Sequence, residues 1–499
     1  MNILYIDIDS LRPDHLGCYG YHRDTSPNID RIAAAGLRFD NCYAPDVPCL
    51  PSRTALYQMR HGIHTGVVGH GGTTADPFIE GAGRGFRSRI VNDAFPMQLR
   101  QQGYYTGMIS PFGERHAALQ IYAGFNEIHN PIGKAGNERA DEVAPVACRW
   151  LEANRDRDRW FLHINLWDPH TPYRSDPADV ARFADDPLPA WYDEEVRRRH
   201  WRGCGPHSAQ EVPGFSDDDA FWQSFALQPT RIDSMAAARA MFDGYDAGVF
   251  AADRAVGQII DCLRRCGLAD STAVVISADH GENLGELNIY GDHQTADQIT
   301  GRIPLIVHWP GLTESRAGQA ESGFLYHFDG FAALLELAGG CVLPQWDACS
   351  ARPLIDGTAA IRDALVISQA AWSCQRGVRF GDHLLLRSYH DGYHDLPAYQ
   401  LFDVVADPHE EQDLATTRPE LVDRGCRLLD EWLADMMRSA SQPQDPLWTV
   451  LAEGGPFHCR GQLPAYLDRL RATGRSDCAE RLIAVHGDEL EGVSQRVEK

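Results

Sequence analysis

Apolar strand-like runs alternate with helical patterns over most of the chain, and this alternation limits the fold more than any other feature. Residues 2–9, rich in Ile and Tyr, read as a buried strand. Residues 27–36 read as a short helix ended by Gly36, and 37–43 as a second strand. A helix is expected from about Cys49–Pro51 to about Met59, with Pro51 in the first turn, where a missing N–H has no intrahelical partner to lose. The pairs 93–103 with 105–110 and 140–153 with 160–167 repeat helix then strand. A long helix at 233–266 precedes strands at 272–277 and 302–309. Strands separated by helices form a mostly parallel sheet covered on both faces. The expected class is α/β, with a large mostly parallel sheet sandwiched by helices over residues 1–365.

After about residue 365 the pattern changes. Residues 378–386 and 399–404 read as short strands, and 419–438 as an amphipathic helix. Residues 366–499 are therefore expected to form a smaller C-terminal α+β subdomain, with a small antiparallel sheet, a helix and a tail. A chain of 499 residues suits one large domain plus a smaller one. Residues 174–232, rich in Pro, Asp, Arg and Trp with little periodicity, read as a long insertion near an active-site mouth.

Composition excludes some partners. A formal net charge of −24 argues against nucleic acid and anionic membranes. No apolar run approaches the roughly 20 residues of a membrane span. The first residues enter a strand pattern without a secretory leader, so a cytoplasmic location is expected, or export if a leader was trimmed. The 13 cysteines form no disulfide framework and read as free thiols in a reducing compartment. Homo-oligomerisation is left open.

The chemistry-bearing residues cluster at strand ends, where open α/β sheets collect ligands. Asp7 and Asp9 close the first strand on one side of it. Asp279, His280 and Glu282 close a later strand, and Asp168 and His170 follow another. Carboxylates converging with a histidine suit a hard divalent cation such as calcium or magnesium. Cys49-Leu-Pro51-Ser52-Arg53 adds a cysteine that, by itself, reads as nucleophile, metal ligand or core filler. His61, His64 and His70, lying after the Cys49 helix, read as loop histidines, with lining of the pocket as the alternative.

Taken in order, these segments resemble the formylglycine-dependent sulfatases of the alkaline phosphatase superfamily, over nearly the whole chain. The resemblance rests on residues 2–9, Thr25–Asp30, Cys49–Arg53, Gly103-Tyr104, Asp168–Tyr173, Asp279–Glu282, Arg302–Gly311 and Leu401–Leu414. It implies an alkaline phosphatase-like fold and a metal-dependent sulfuric ester hydrolase. Cys49 would be oxidised to formylglycine by a formylglycine-generating enzyme or its equivalent. The hydrated aldehyde would attack a sulfate ester or sulfamate, of a small molecule or glycan, through a covalent hemiacetal sulfate. Arg53 would reach back to the hydrate, and His170 would serve the leaving oxygen. The metal would sit on Asp9, Asp279 and His280, with Asp7 as a further candidate. Calcium is the first choice, with manganese or magnesium as alternatives.

The chain departs from the family pattern in instructive places. Ser10 stands where many members have a second aspartate, and Gln58-Met59 stands in place of Thr-Gly. His280 stands where many have asparagine, as in phosphonate monoester hydrolase-like members, which makes a formylglycine-dependent phosphonate monoester hydrolase or phosphodiesterase the alternative reading. An inactive binding protein of the same fold is a further one. The substrate-binding lysines are missing; Arg115 and His116 are the candidates at the first position and His293 at the second.

Overall fold

The computed structural model describes residues 1–81, 88–216, 221–222, 224–225 and 227–490. Strands are numbered along the chain. The large sheet contains β1 (Asn2–Ile8), β2 (Leu37–Tyr43), β4 (Tyr105–Ile109), β5 (Glu127–His129), β6 (Trp160–Leu166), β7 (Thr272–Ser277), β10 (Arg302–His308), β11 (Gln319–Glu321) and β12 (Leu325–Tyr326). Its order is β11-β2-β10-β7-β1-β6-β4-β5, with β12 beside β2. β1 lies at the centre, parallel to β6 and β7, and every residue of it is buried. Such a strand is covered on both faces, which is why it reads as a nearly continuous apolar run.

β10 runs antiparallel to both β7 and β2. The chain between β7 and β10 makes a small ribbon, β8 (Asn283–Leu284) with β9 (Tyr290–Asp292), and two short helical turns, Glu286–Asn288 and Gln298–Gly301. Without a long crossover helix the strand returns in the opposite sense. The parallel trio β6-β1-β7 nevertheless ends at one edge, and Asp168, Asp9 and Asp279 follow those three ends.

A second sheet has the order β16-β15-β14-β13-β3. It is built from β3 (Asp46–Val47), β13 (Ala364–Gln369), β14 (Cys374–Phe380), β15 (His383–His390) and β16 (Tyr399–Asp403). The single strand expected at 378–386 is in fact a hairpin, because Gly381 takes a left-handed φ of +53° and reverses the chain. β3 pairs in parallel with β13, and Ser368 N–H donates to Pro45 O at 2.9 Å. The segment that leads into Cys49 is therefore an edge strand of the C-terminal sheet.

The expected tail is helical where described. Pro446–Ala452, Leu463–Ala472 and Ser476–His486 follow the long helix Pro419–Ser439. Leu463, Tyr466, Leu467, Leu470, Ala479 and Leu482 build a separate apolar cluster with Cys204 and Tyr393. Of the insertion expected at 174–232, residues 217–220, 223 and 226 lie outside the described residues. The remainder includes the short helices Pro177–Ala181 and Glu194–Trp201. All 13 cysteines are free. Among the described residues no helix is long and apolar enough to cross a membrane.

One ionic clamp holds the last helix. His486 Nε2 lies 2.8 Å from Asp391 Oδ1, and His486 Nδ1 lies 2.9 Å from Glu489 Oε1. Burial alone would lower this imidazole, but the two carboxylates outweigh it and raise it to about 9. A raised histidine stabilises fully below its unfolded value and loses that contribution as pH rises through its folded value. We expect His486→Gln to be less stable than the wild type by roughly 1–3 kcal/mol near pH 6. Denaturant unfolding at several pH values should show that gap closing above pH 9; a gap independent of pH would contradict the clamp.

Candidate active site

The site is built where one helix start meets two strand ends. Cys49 opens the helix Cys49–Gln58, with its side chain buried. Ser52 Oγ donates to the Asp279 carbonyl at 2.6 Å, which stitches the first turn to the end of β7. Gly281 lets the loop after β7 pass close to its neighbour, since a Cβ there would sit 2.0 Å from the Ile299 carbonyl oxygen.

Arg53, one turn further on, is fully enclosed and binds three carboxylates. Its Nε donates to Asp7 at 2.8 Å, and its Nη1 to Asp279 at 2.6 Å. Its Nη2 lies 2.9 Å from Asp9 Oδ2. That approach is close but misaligned for a hydrogen bond, so both Nη2 and Asp9 Oδ2 are buried without hydrogen-bond partners. The guanidinium also rests over the Phe112 ring at 4.4 Å.

Donor atoms of Asp9, Cys49, Asp279 and His280 all lie within 4.8 Å of one another. Three observations fit a divalent cation there. Asp9 Oδ2 is orphaned. Three buried carboxyl groups face one guanidinium, more acidic groups than its single charge can balance. His280 Nδ1 donates to the Gly281 carbonyl at 2.8 Å, which fixes the tautomer and leaves Nε2 as an acceptor, 3.1 Å from Cys49 Sγ. Burial raises both carboxyls of the site. Arg53 nevertheless holds Asp9 well below the usual range, whereas Asp279, with Asp9 and Asp7 beside it, is pushed up to about 7.

Asp7 lies outside this group. Arg53 Nε holds its Oδ2, and His163 Nε2 approaches the same oxygen at 3.3 Å. Tyr57 OH lies 2.6 Å from the other nitrogen of His163. Asp7 thus orients Arg53 from behind. The backbone N–H of Ser10 donates to Asp279 Oδ1 at 3.2 Å and its hydroxyl to Asp9 Oδ1 at 3.1 Å, which ties both carboxyl groups to the end of β1.

A second group faces Cys49 from the imidazole side. Donor atoms of Cys49, His170 and His293 lie within 4.8 Å of one another. The His293 ring sits 4.1 Å from that of His280 and 5.6 Å from that of His170. Burial, reinforced by its histidine neighbours, pushes His293 well below its ordinary value. Burial also lowers His170 to about 4, against the pull of Asp9.

Arg115 and His116 stand at the rim. Arg115 lies over the Trp167 ring at 5.1 Å and donates to the Ala135 carbonyl at 3.1 Å. His116 stacks on Phe112 at 4.5 Å, and burial with Arg115 beside it lowers it to about 3.

Several neighbours of the site carry no local sequence signal. His70, expected as a loop histidine, packs 5.3 Å from His116 and lies 3.1 Å from His458. His458 stacks on Trp372 at 4.3 Å. The C-terminal helical region thereby supplies part of the wall beside the rim. Arg174 donates to the His170 carbonyl at 2.8 Å. His61 and His64 belong elsewhere: His64 pairs with Asp347 at 2.8 Å, and His61 sits edge-on among Tyr326, Phe328 and Trp432.

Comparison with known proteins places this arrangement. Residues 1–340 match the sulfatase family model. The chain is 26% identical over 373 residues to human iduronate 2-sulfatase, covering 67% of this chain and 65% of the relative, just under two thirds of its length. A solved protein in complex with its substrate D-glucosamine-2-N,6-O-disulfate superposes with a TM-score of 0.68 at 19% identity, covering 89% of this chain and 99% of the other. A phosphonate monoester hydrolase from Silicibacter pomeroyi superposes at 0.64 with 18% identity, covering 89% and 96%. These structural likenesses show the fold, which is alkaline phosphatase-like. The family match extends over more than half of the sequence, and the chain belongs to the sulfatase family of hydrolases.

Proposed function

We propose that this protein hydrolyses a sulfate ester of a small molecule or glycan, with formylglycine made from Cys49 as its nucleophile and a divalent cation, calcium first, on Asp9, Asp279 and His280. The observation that carries the reading is the position of Cys49. It stands between a set of oxygen and nitrogen donors lacking a cation's worth of charge and a pair of imidazoles.

The protein's own groups do not favour an unmodified thiolate. Burial first, then Asp9 and Asp279, push the Cys49 thiol well above its ordinary value. Oxidised to the hydrated aldehyde, residue 49 would supply one hydroxyl to attack sulfur and a second to expel sulfate. A bound divalent cation would lower the pKa of the attacking hydroxyl and neutralise charge on the sulfuryl oxygens.

The remaining work falls to fixed side chains. Arg53 keeps Asp9 ionised and aims Asp279, which a bound cation would draw into its ionised form, and its Nη2, without a hydrogen-bond partner, would donate to residue 49. The helix start at residue 49 places positive backbone potential beside developing negative charge. His170, held near Cys49, would protonate the leaving oxygen from Nε2 once the negative charge of the bound sulfate draws it into its imidazolium form. His293, with Arg115 and His116 at the rim, would receive the sulfuryl oxygens by hydrogen bonding. Of the chain's two lysines, Lys134 pairs with Glu142 at 2.6 Å and Lys499 lies outside the described residues.

His280 favours one further reading, a formylglycine-dependent phosphonate monoester hydrolase, because its imidazole replaces the asparagine amide of many sulfatases beside the nucleophile. The ratio of kcat/KM for an aryl sulfate and the matching aryl phosphonate monoester decides. A sulfate preference supports the main reading, and a phosphonate preference supports the alternative.

Cys49→Ser should fold and yield no more than one product equivalent per enzyme, since serine lacks the second hydroxyl. Sustained turnover near the wild-type rate would overturn the mechanism. Asp279→Ala should lose its divalent ion, measured by elemental analysis after gel filtration. Metal content equal to the wild type would remove Asp279 from the donor set.

A further inference from the structure

We propose that Glu282 is a positioning residue for His170, acting through Thr171 and Tyr173; this rests on the assignment of His170 to the leaving oxygen. Glu282 is fully buried. It belongs to the loop after β7, two residues beyond His280. Its two oxygens do not turn toward Arg53 or the cation donors. They cross to the loop after β6, where Glu282 Oε1 accepts from Tyr173 OH at 2.9 Å and Oε2 from the Thr171 backbone N–H at 3.3 Å.

Thr171 links that carboxylate to the histidine. Its N–H is held by Glu282, and its carbonyl accepts from His170 Nδ1. With Nδ1 committed to a carbonyl, Nε2 is the nitrogen left for the substrate. The bridge has rigid supports at both ends. Arg12 Nη1 donates to the Glu282 carbonyl at 3.1 Å, and Arg12 Nη2 pairs with Glu286 at 2.8 Å. Tyr173 is buried and packs so closely on Gly244 that a Cβ there would lie 2.6 Å from its ring. Arg174 fixes the His170 carbonyl independently.

A buried carboxyl group joined only to neutral donors costs the fold more than an apolar side chain would. Here it ties the loop that carries two of the cation donors to the loop that carries the proposed acid. The separation between the cation donors and the acid is thereby fixed by a short side-chain bridge between the loops after β7 and β6, the two strands that flank β1.

The test uses metal-loaded enzyme and two aryl sulfates, 4-nitrophenyl sulfate with a good leaving group and phenyl sulfate with a poor one. An acid matters more as the leaving group worsens. His170→Ala should therefore lose much more kcat on phenyl sulfate than on 4-nitrophenyl sulfate. Glu282→Leu should show the same bias, with a loss of about 10²-fold on phenyl sulfate. Glu282→Gln, which keeps an acceptor for Thr171 N–H, should recover most of it. Tyr173→Phe, which removes one donor and leaves the backbone intact, should show a smaller loss with the same bias.

Equal losses on both substrates in the Glu282 and Tyr173 variants, while His170→Ala keeps its bias, would overturn the positioning role alone. No bias in His170→Ala would overturn the acid assignment and this proposal with it.

Discussion

The active site depends on one guanidinium and three carboxylates. Arg53 reaches from the first helical turn after Cys49 to Asp7 and Asp9 at the end of β1 and to Asp279 at the end of β7. Two neighbouring parallel strands would otherwise bring like charges together in a buried space, at a cost of several kcal/mol per ion. Arg53 offsets part of that repulsion and fixes the helix on the strands. Its single charge still leaves the site short of positive charge. That deficit gives a divalent cation a reason to bind, and the helix geometry puts residue 49 beside it.

The same arithmetic explains the histidines. The space around Cys49 is ringed by His170, His280 and His293, with His116 and His70 beyond them. Burial lowers His70, His116, His170 and His293 below their ordinary range, and neighbouring histidines add to this for all but His170. Before an anion binds, these four wall the site as neutral hydrogen-bonding groups at neutral pH; a bound anion favours the charged form of His170. Arg115 and Arg174 supply positive charge near His170. Such a pocket binds an anion by direction more than by net charge, and a lysine is not needed for that.

Parts of this were legible in the sequence because they are local. Strand ends are visible as apolar runs stopped by Asp9 and Asp279, and a spacing of four places Arg53 one turn from Cys49. The division of labour between Asp7 and Asp9 was not legible. Alternation puts both on one side of β1, and only the packing of His163 and Tyr57 draws Asp7 behind Arg53. The hairpin at Gly381 was hidden because strand-forming residues flank it on both sides, so that two strands read as one. The meeting of His70 with His458 joins residues 388 positions apart, and no local pattern reports such a contact. Glu282 showed itself only as part of Asp279-His-Gly-Glu, whereas its partners, Thr171 and Tyr173, belong to another strand-end loop.

Residue 49 is proposed to work as an aldehyde set among cation donors, and not as a thiol. Tryptic peptide mass spectrometry of active enzyme, with and without an aldehyde-reactive hydrazine probe, measures this directly. The peptide spanning Cys49 should carry an aldehyde in place of the thiol, take up the probe, and do so in proportion to specific activity across preparations. A fully active preparation in which Cys49 remains an unmodified thiol would contradict the account.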